Sequence, residues 1–142
     1  MAEREGFTLR QEPRLDAKHL AFPYQEEAVR FVAERTYSAI FHEQGLGKTK
    51  IAIDVMLTWL RERTVDTVLV VTKKSLIANW TREFGSHSHL TPLVLSEDSA
   101  RNYYVFTTPA RVVLCHFEVA RKEERRLTAW LGSRRVAVII DE

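Results

Sequence analysis

Short apolar runs alternate with segments of helical spacing along most of this chain. The run Thr67 to Val71 is continuous, which predicts a strand covered on both faces, as in parallel sheets. Similar runs predict strands at 37–41, 112–116 and 136–140, and a weaker one at 93–95. Strands separated by helical segments are typical of α/β proteins. The pattern predicts a three-layer, mostly parallel α/β sheet.

Apolar positions spaced three and four residues apart predict four helices between these strands. They are expected from Pro23 to about residue 35, from Lys50 to Arg61, from a Ser75 cap to Gly85, and from about 118 to 131, with Gly132 past the last end. Residues 1–20 and 96–104 carry no clear pattern and stay unassigned. Arg121 to Arg126 is expected to be a solvated helix face, because Glu123 and Glu124 offset much of its charge.

The composition limits the number of domains and the class of protein, but it does not indicate a function. A chain of 142 residues that is 45% apolar is long enough for one domain with a core and too short for two. The net charge of +2 permits a nucleic-acid partner without demanding one. The single cysteine, Cys115, lies in an apolar run and is expected in the core. With no run near the ~20 apolar residues of a membrane span, we expect a cytoplasmic or nuclear protein.

A glycine-containing segment between the first predicted strand and a helix has the chemistry of a phosphate-binding loop. It reads His42-Glu43-Gln44-Gly45-Leu46-Gly47-Lys48-Thr49. Gly45 and Gly47 permit close backbone approach, Lys48 supplies positive charge, and Thr49 supplies a hydroxyl for magnesium. The general pattern has glycine where this chain has His42, so the strict match is partial. The position of the segment between a strand and a helix supports the interpretation.

An acidic pair, Asp141 and Glu142, follows the last predicted strand. Open parallel sheets bind ligands beyond the carboxyl ends of their strands, where the phosphate loop also lies. Asp141 is therefore a candidate magnesium ligand, usually through water, and Glu142 a candidate base that orients and deprotonates the attacking water. An acidic pair after an apolar strand is ordinary by itself, but together with the loop it indicates a nucleotide hydrolase.

Two further candidate sites each have a functional and a purely structural interpretation. Gln25 lies near the start of a predicted helix. Its side-chain amide has the donor and the acceptor that the N6 and N7 edge of adenine requires. Taken in isolation, a solvated surface glutamine is the simpler interpretation. Lys73 and Lys74 leave the carboxyl end of the strand at 67–71. They suit phosphate contacts and a solvated turn equally well.

Nearly the whole chain resembles the first RecA-like lobe of superfamily-two helicase ATPases, most of all the Swi/Snf-type translocases of double-stranded DNA. The resemblance lies in these segments: Phe22 to Gln25, Glu43 to Thr49, Val68 to Thr72 with Ser75-Leu76 and Asn79 to Phe84, Val112 to Glu118, and Val138 to Glu142. The family's loop does not require the glycine missing at position 42. The family prefers a hydroxyl residue and a tyrosine at 116 and 117, where this chain has His116 and Phe117, which weakens the DNA contact there.

The resemblance implies an N-terminal arm at 1–21 and an ATP-binding lobe at 22–142 that stops after the acidic motif. It implies hydrolysis of ATP to ADP and phosphate, with magnesium, coupled to movement on duplex DNA in the full-length enzyme. The implied nucleotide-binding residues are Gln25, Gly45, Leu46, Gly47, Lys48 and Thr49. Lys48 and Glu142 would be catalytic, Thr49 and Asp141 would hold magnesium, and Thr72, Lys73, Lys74 and His116 would contact DNA.

In the family, a second RecA-like lobe supplies arginines that complete the site. We therefore expect the 142-residue chain to be a piece of a longer enzyme, or a truncated gene product, and to be nearly inactive alone. Three alternatives stay open. The chain could be a nucleotide-binding module that never hydrolyses, a lobe that only docks on partners, or a lobe of a restriction-type helicase subunit.

Overall fold

A computed structural model describes residues 14–20, 23, 25–27 and 48–141 of the chain. The predicted strand at 37–41, the loop residues 42–47 and Glu142 lie outside the described residues. So does most of the helix predicted from Pro23 to about residue 35, of which residues 23 and 25–27 are described and helical.

The described elements alternate as the sequence pattern predicts. The helices are α1 (Lys48–Arg61), α2 (Ile77–His87), α3 (Ser99–Thr107), α4 (Phe117–Lys122) and α5 (Glu124–Gly132). The strands are β1 (Thr67–Thr72), β2 (Leu93–Val94), β3 (Val112–His116) and β4 (Val136–Ile140), and a 3₁₀ turn covers Lys74–Leu76. The strands form one parallel sheet in the order β2-β3-β1-β4. No helix in this part of the chain is both long and apolar enough to cross a bilayer.

Helices cover both faces of the sheet, because alternate residues of β1 and β3 enter two separate cores. On one face Val68 and Val70 pack with buried side chains of α1 and α2. On the other face Leu69 and Val71 pack with buried side chains of α4 and α5. This arrangement confirms the predicted three-layer α/β sheet, and it follows directly from the continuous apolar run that forms β1.

Cys115 lies in the second core, as its position in an apolar run predicted. The side chain is fully buried, and burial raises the pKa of the thiol to about 12. The negative charge of Glu123 acts in the same direction. A thiol held in its neutral form behaves as a small hydrophobic group, so Cys115 is a packing residue.

The strand β4 is less covered than the two central strands. All residues of β1 and β3 are buried, whereas Val138 is 49% exposed and Ile140 is 64% exposed. β4 lies at one end of the described strand order and pairs only with β1 there. Its apolar character predicted a strand correctly, but a lone run does not say which strand is central.

The start of α2 differs from the prediction. Ser75 was expected to cap the helix, but it lies inside the 3₁₀ turn, and the residue at the N-cap is Leu76, which makes no side-chain capping bond. The turn is closed by the backbone N–H of Leu76, which donates to the carbonyl of Lys73 at 2.9 Å. Short 3₁₀ turns are common at helix starts, and spacing alone does not distinguish them from the first helical turn.

The end of α2 also differs, because Gly85 does not end it. The helix continues to His87, and Ser88 closes it by donating from its hydroxyl to the carbonyl of Phe84 at 2.8 Å. Lys18 of the N-terminal arm donates from Nζ to the carbonyl of Gly85 at 2.7 Å. Since these polar groups satisfy the last carbonyls, a glycine in the left-handed conformation is not needed.

The unassigned stretch 96–104 contains most of a helix, α3. Its N-cap is Asp98, whose carboxylate accepts from the backbone N–H groups of Ala100 at 3.0 Å and Arg101 at 3.3 Å. An aspartate cap is a signal that the sequence did contain. It was missed because the apolar positions of this helix do not form a clear stripe.

The single helix predicted from about 118 to 131 is two helices, α4 and α5, which meet at Glu123. Helical spacing predicts that Val119, Leu127, Trp130 and Leu131 face inward. The first three are buried and Leu131 is partly buried. Gly132 is the last residue of α5 rather than the residue past its end. Apolar spacing predicted the buried face correctly but not the break.

The predicted solvated face at 121–126 is wrong at Glu123, which is 6% exposed. Its carboxylate accepts a hydrogen bond of 2.7 Å from the amide of Asn102, itself buried on α3, and pairs with the guanidinium of Arg126. The Asn102 amide also bonds to both the backbone N–H and the carbonyl of Ser96. The charge is therefore buried with partners, which is the usual condition for a buried carboxylate.

Candidate functional site

Lys48 and Thr49 are the first two residues of α1. The side chain of Lys48 is exposed and forms no hydrogen bond or ion pair with any residue that the structure describes. Thr49 is half-buried beside it. A helix N-terminus carries free N–H groups and partial positive charge, so an exposed lysine at this position favours a bound anion. Gly45, Leu46 and Gly47 lie outside the described residues.

The neighbouring Lys50 has a different role, because its side chain is buried. Its ammonium group pairs with the Asp54 carboxylate at 2.9 Å, one helical turn along α1, and donates to the carbonyl of His19 at 2.8 Å. Its charge is thus neutralised within the protein, and it ties the arm at 14–20 to α1. Lys48 is the lysine at the head of α1 that remains accessible to a ligand.

Asp141 directly follows β4 and is fixed at two points. Its backbone N–H donates to the carbonyl of Val71 at 3.0 Å, which extends the ladder between β1 and β4. Its Oδ2 atom accepts from the indole Nε1 of Trp80 at 2.9 Å. No donor among the described residues reaches Oδ1, so one carboxylate oxygen is open for a ligand. A hard cation such as magnesium prefers an oxygen of this kind, held directly or through water, so the residue present fits the ion.

Two polar side chains lie next to each other at the same edge of the sheet. Thr72 ends β1 and His116 ends β3, and the two are opposite each other in the strand register. Both are buried, and within the described part of the chain neither Thr72 Oγ1 nor His116 Nδ1 has a hydrogen-bond partner. An unpaired buried polar atom costs on the order of 1–3 kcal/mol. Contact of these two side chains with DNA remains a prediction.

Lys73 and Lys74 follow β1 at this edge, and both side chains are exposed. Lys74 Nζ lies 3.7 Å from Glu97 Oε1, and both groups are more than half exposed. An exposed pair of this kind contributes only about 0–1 kcal/mol, so it does not commit Lys74 to the protein. The two lysines form an accessible positive patch, and its contact with phosphates remains a prediction.

The model of the SNF2-related domain family matches residues 24–142, which is most of the chain. The chain belongs to this family. No curated protein matches it. A solved structure with a similar fold is the Sulfolobus solfataricus SWI2/SNF2 ATPase core in complex with dsDNA, at a TM-score of 0.64 and 20% sequence identity. The match covers 91% of this chain and 32% of that one, so this chain spans about a third of the Sulfolobus core.

In this SNF2-related domain the sheet brings three predicted site residues to one edge. Thr72, His116 and Asp141 stand at the carboxyl ends of the neighbouring strands β1, β3 and β4. Lys48 stands at the N-terminus of α1, whose core residues pack on the same sheet. The prediction that Gly45 to Thr49 lies side by side with Asp141 stays a prediction, because the loop before Lys48 and the residue Glu142 are outside the described part.

Gln25 of the SNF2-related domain is 5% exposed and belongs to a helical segment. The alternative of a solvated surface glutamine is therefore wrong. A buried amide usually has its polar atoms paired. Recognition of adenine by this side chain stays a prediction.

Sequence reasoning missed Trp80 as a residue of the site. The apolar spacing of α2 placed it on the inward face, and it is indeed buried. Its hydrogen bond to Asp141 joins residues 61 positions apart, so no local pattern reveals it. The only sign in the sequence is general: a buried indole N–H usually finds an acceptor.

Proposed function

We propose that this chain is the ATP-binding lobe of an ATP-driven DNA translocase. In the longer protein, ATP is hydrolysed to ADP and phosphate, and the hydrolysis drives movement on duplex DNA. One observation carries the proposal. An SNF2-related domain here presents an exposed lysine at a helix N-terminus, Lys48, and a carboxylate with one open oxygen at a strand end, Asp141. A triphosphate and its magnesium require these two groups together.

Each residue has a distinct task in this proposal. Lys48 binds the β- and γ-phosphates, and backbone N–H groups of Gly45, Leu46 and Gly47 surround the phosphates. Thr49 and Asp141 hold the magnesium ion, directly or through water. When bound, the ion neutralises charge that develops on the phosphate oxygens.

Glu142 orients the attacking water and accepts its proton. An ATP-binding module without hydrolysis would not need this carboxylate. The acidic pair therefore favours a hydrolase over a passive nucleotide-binding module.

The DNA side of the proposal rests on the carboxyl edge of β1. Lys73 and Lys74 are exposed there, next to the end of the sheet that carries Asp141. Lysines on a surface turn bind phosphates without reading sequence, which suits a motor that must move along any duplex. The structural neighbour from Sulfolobus is described as bound to dsDNA, which supports the same assignment here.

Binding of labelled ATP in the presence of magnesium tests the proposal. The wild-type chain should bind, and Lys48→Ala should weaken binding by about tenfold or more, because a hydrogen bond to a charged group contributes roughly 1.5–3 kcal/mol. Arg125→Ala is a charge-matched control, since Arg125 is exposed on α5, and α5 packs on the face of the sheet opposite α1. Unchanged binding in the Lys48 variant would refute the phosphate-loop assignment.

The base preference gives a second prediction. If Gln25 reads adenine, Gln25→Ala should reduce the preference for ATP over GTP, by roughly 1–3 kcal/mol if adenine is left unpaired. Competition of the two nucleotides for the same labelled probe measures this difference directly. An equal loss of affinity for ATP and GTP would mean that the buried Gln25 supports the structure instead.

A further inference from the structure

Trp80 connects the hydrophobic core to the carboxylate of the candidate site. Its ring is 3% exposed and packs beside Phe84, with the ring centroids 6.0 Å apart. Its single polar atom, Nε1, donates to Oδ2 of Asp141 at 2.9 Å. A large ring held by the core on one side has little freedom, so the direction of this N–H is fixed by packing.

The hydrogen bond decides how Asp141 presents its two oxygens. The backbone of Asp141 is held by Val71, so only rotation of the side chain remains free. The indole N–H occupies Oδ2 and, among the described residues, no donor occupies Oδ1. We propose that Trp80 is a positioning residue that fixes the Asp141 carboxylate so that Oδ1 faces the magnesium of a bound nucleotide. This inference rests on the proposed function.

A second buried tryptophan shows that the contact is not a general requirement of packing. Trp130 is 5% exposed, yet its Nε1 has no hydrogen-bond partner in the described part of the chain. One face of the sheet therefore holds a buried indole without such an acceptor, and the other face pairs its indole with Asp141. Residues that orient a metal ligand through hydrogen bonds typically change metal affinity by 10- to 100-fold when removed.

Trp80→Phe is the direct test, because it keeps an aromatic ring and removes only the N–H and part of the ring. Binding of labelled ATP is measured at increasing magnesium concentration and again with a chelator. We expect the half-saturating magnesium concentration to rise about tenfold, while binding without magnesium stays unchanged. Trp130→Phe is the matched control, since its N–H does not reach the site, and it should leave both quantities unchanged.

Asp141→Ala shows whether Trp80 acts through the carboxylate. In this background, Trp80→Phe should cause no further change in the magnesium requirement, because the acceptor is already gone. An unaltered magnesium requirement in Trp80→Phe alone, or an equal rise with and without Asp141, would overturn the inference.

The wild-type chain supplies a measurement that does not depend on a variant folding. The indole ¹⁵N–¹H resonance of Trp80 should shift when magnesium is added to the ATP-bound chain, and that of Trp130 should not. If the chemical shift of the Trp80 indole does not change on addition of magnesium, the inference is also overturned.

Different results would refute the proposed nucleotide site and the proposed role of Trp80. If ATP binding by the wild type does not depend on magnesium, the proposed nucleotide site is wrong, and the role of Trp80 falls with it. If Asp141→Ala raises the magnesium requirement and Trp80→Phe does not, the site stands and only the positioning role is wrong.

Discussion

Purified alone, the 142-residue chain should hydrolyse ATP no faster than its Lys48→Ala variant, with or without duplex DNA. The groups proposed for ground-state binding are present in the sequence, but the resemblance to two-lobed translocases implies that the transition-state arginines come from a second lobe. Such an arginine contributes on the order of 10³ to 10⁵ in rate. The chain spans 32% of the Sulfolobus core.

DNA should give little stimulation for a second reason. A duplex that spans two lobes binds phosphates to both, and its affinity at physiological salt falls steeply when one lobe is absent. The exposed patch of Lys73 and Lys74 offers only two lysines. On the proposed function, we therefore expect duplex DNA to add little to the rate of ATP hydrolysis by this chain.

Phosphate release measured beside ATP binding checks this prediction, because binding shows that the site is loaded while turnover is absent. Comparison with Lys48→Ala removes any contaminating ATPase from the result. Robust DNA-stimulated hydrolysis by the wild-type chain that Lys48→Ala abolishes would contradict the need for a second lobe.

The strands β1, β3 and β4 were predictable because each is a continuous run of apolar residues. Burial on two faces requires such a run, and β1 and β3 satisfy that requirement completely. The helix α1 was predictable from its apolar stripe, which comprises Ile51, Ala52, Val55, Met56, Trp59 and Leu60. In the structure Ala52 and Trp59 are only partly buried, and Ile53 and Leu57 are buried as well. A continuous or periodic apolar pattern indicates a strand or a helix without knowledge of distant residues.

Two of the mispredicted features involve polar groups whose partners are distant in the sequence. Glu123, at the break between α4 and α5, accepts from Asn102, which lies 21 residues away, and Gly85, near the end of α2, accepts from Lys18, which lies 67 residues away. In each case a polar group finds a partner that only the fold brings near. Local propensity cannot include such contacts, so a buried charge looks like a solvated one.

In the candidate site, too, some features have local sequence signals and others depend on contacts made only in the fold. Lys48 and Asp141 are proposed from sequence signatures, a phosphate loop and a strand-end carboxylate, and their roles remain predictions. The hydrogen bond between Trp80 and Asp141 was not predictable, because it joins α2 to the end of β4 across 61 positions. Short motifs identify the groups that meet a ligand, and the fold determines which residues orient those groups.

Glu123→Ala should destabilise the protein more than any other single charge removal that we consider. The variant leaves one N–H of the buried Asn102 amide without its acceptor, at a cost of about 1–3 kcal/mol, and it also leaves a small cavity. Arg126 is 37% exposed at its side chain, so water compensates much of its missing pairing. We expect a loss of about 2–3 kcal/mol in the free energy of unfolding.

Chemical denaturation of the wild type and two variants measures this loss at one pH. Glu124→Ala is the matched control, because Glu124 is the next residue, carries the same charge and is exposed, so its effect should stay within about 0.5 kcal/mol. Glu123→Gln should fall between the two, since its amide oxygen still accepts from Asn102 while the pairing with Arg126 weakens. If Glu123→Ala and Glu124→Ala cost the same, the Asn102 contact does not stabilise the junction of α3, α4 and α5, and the buried carboxylate must be assigned another role.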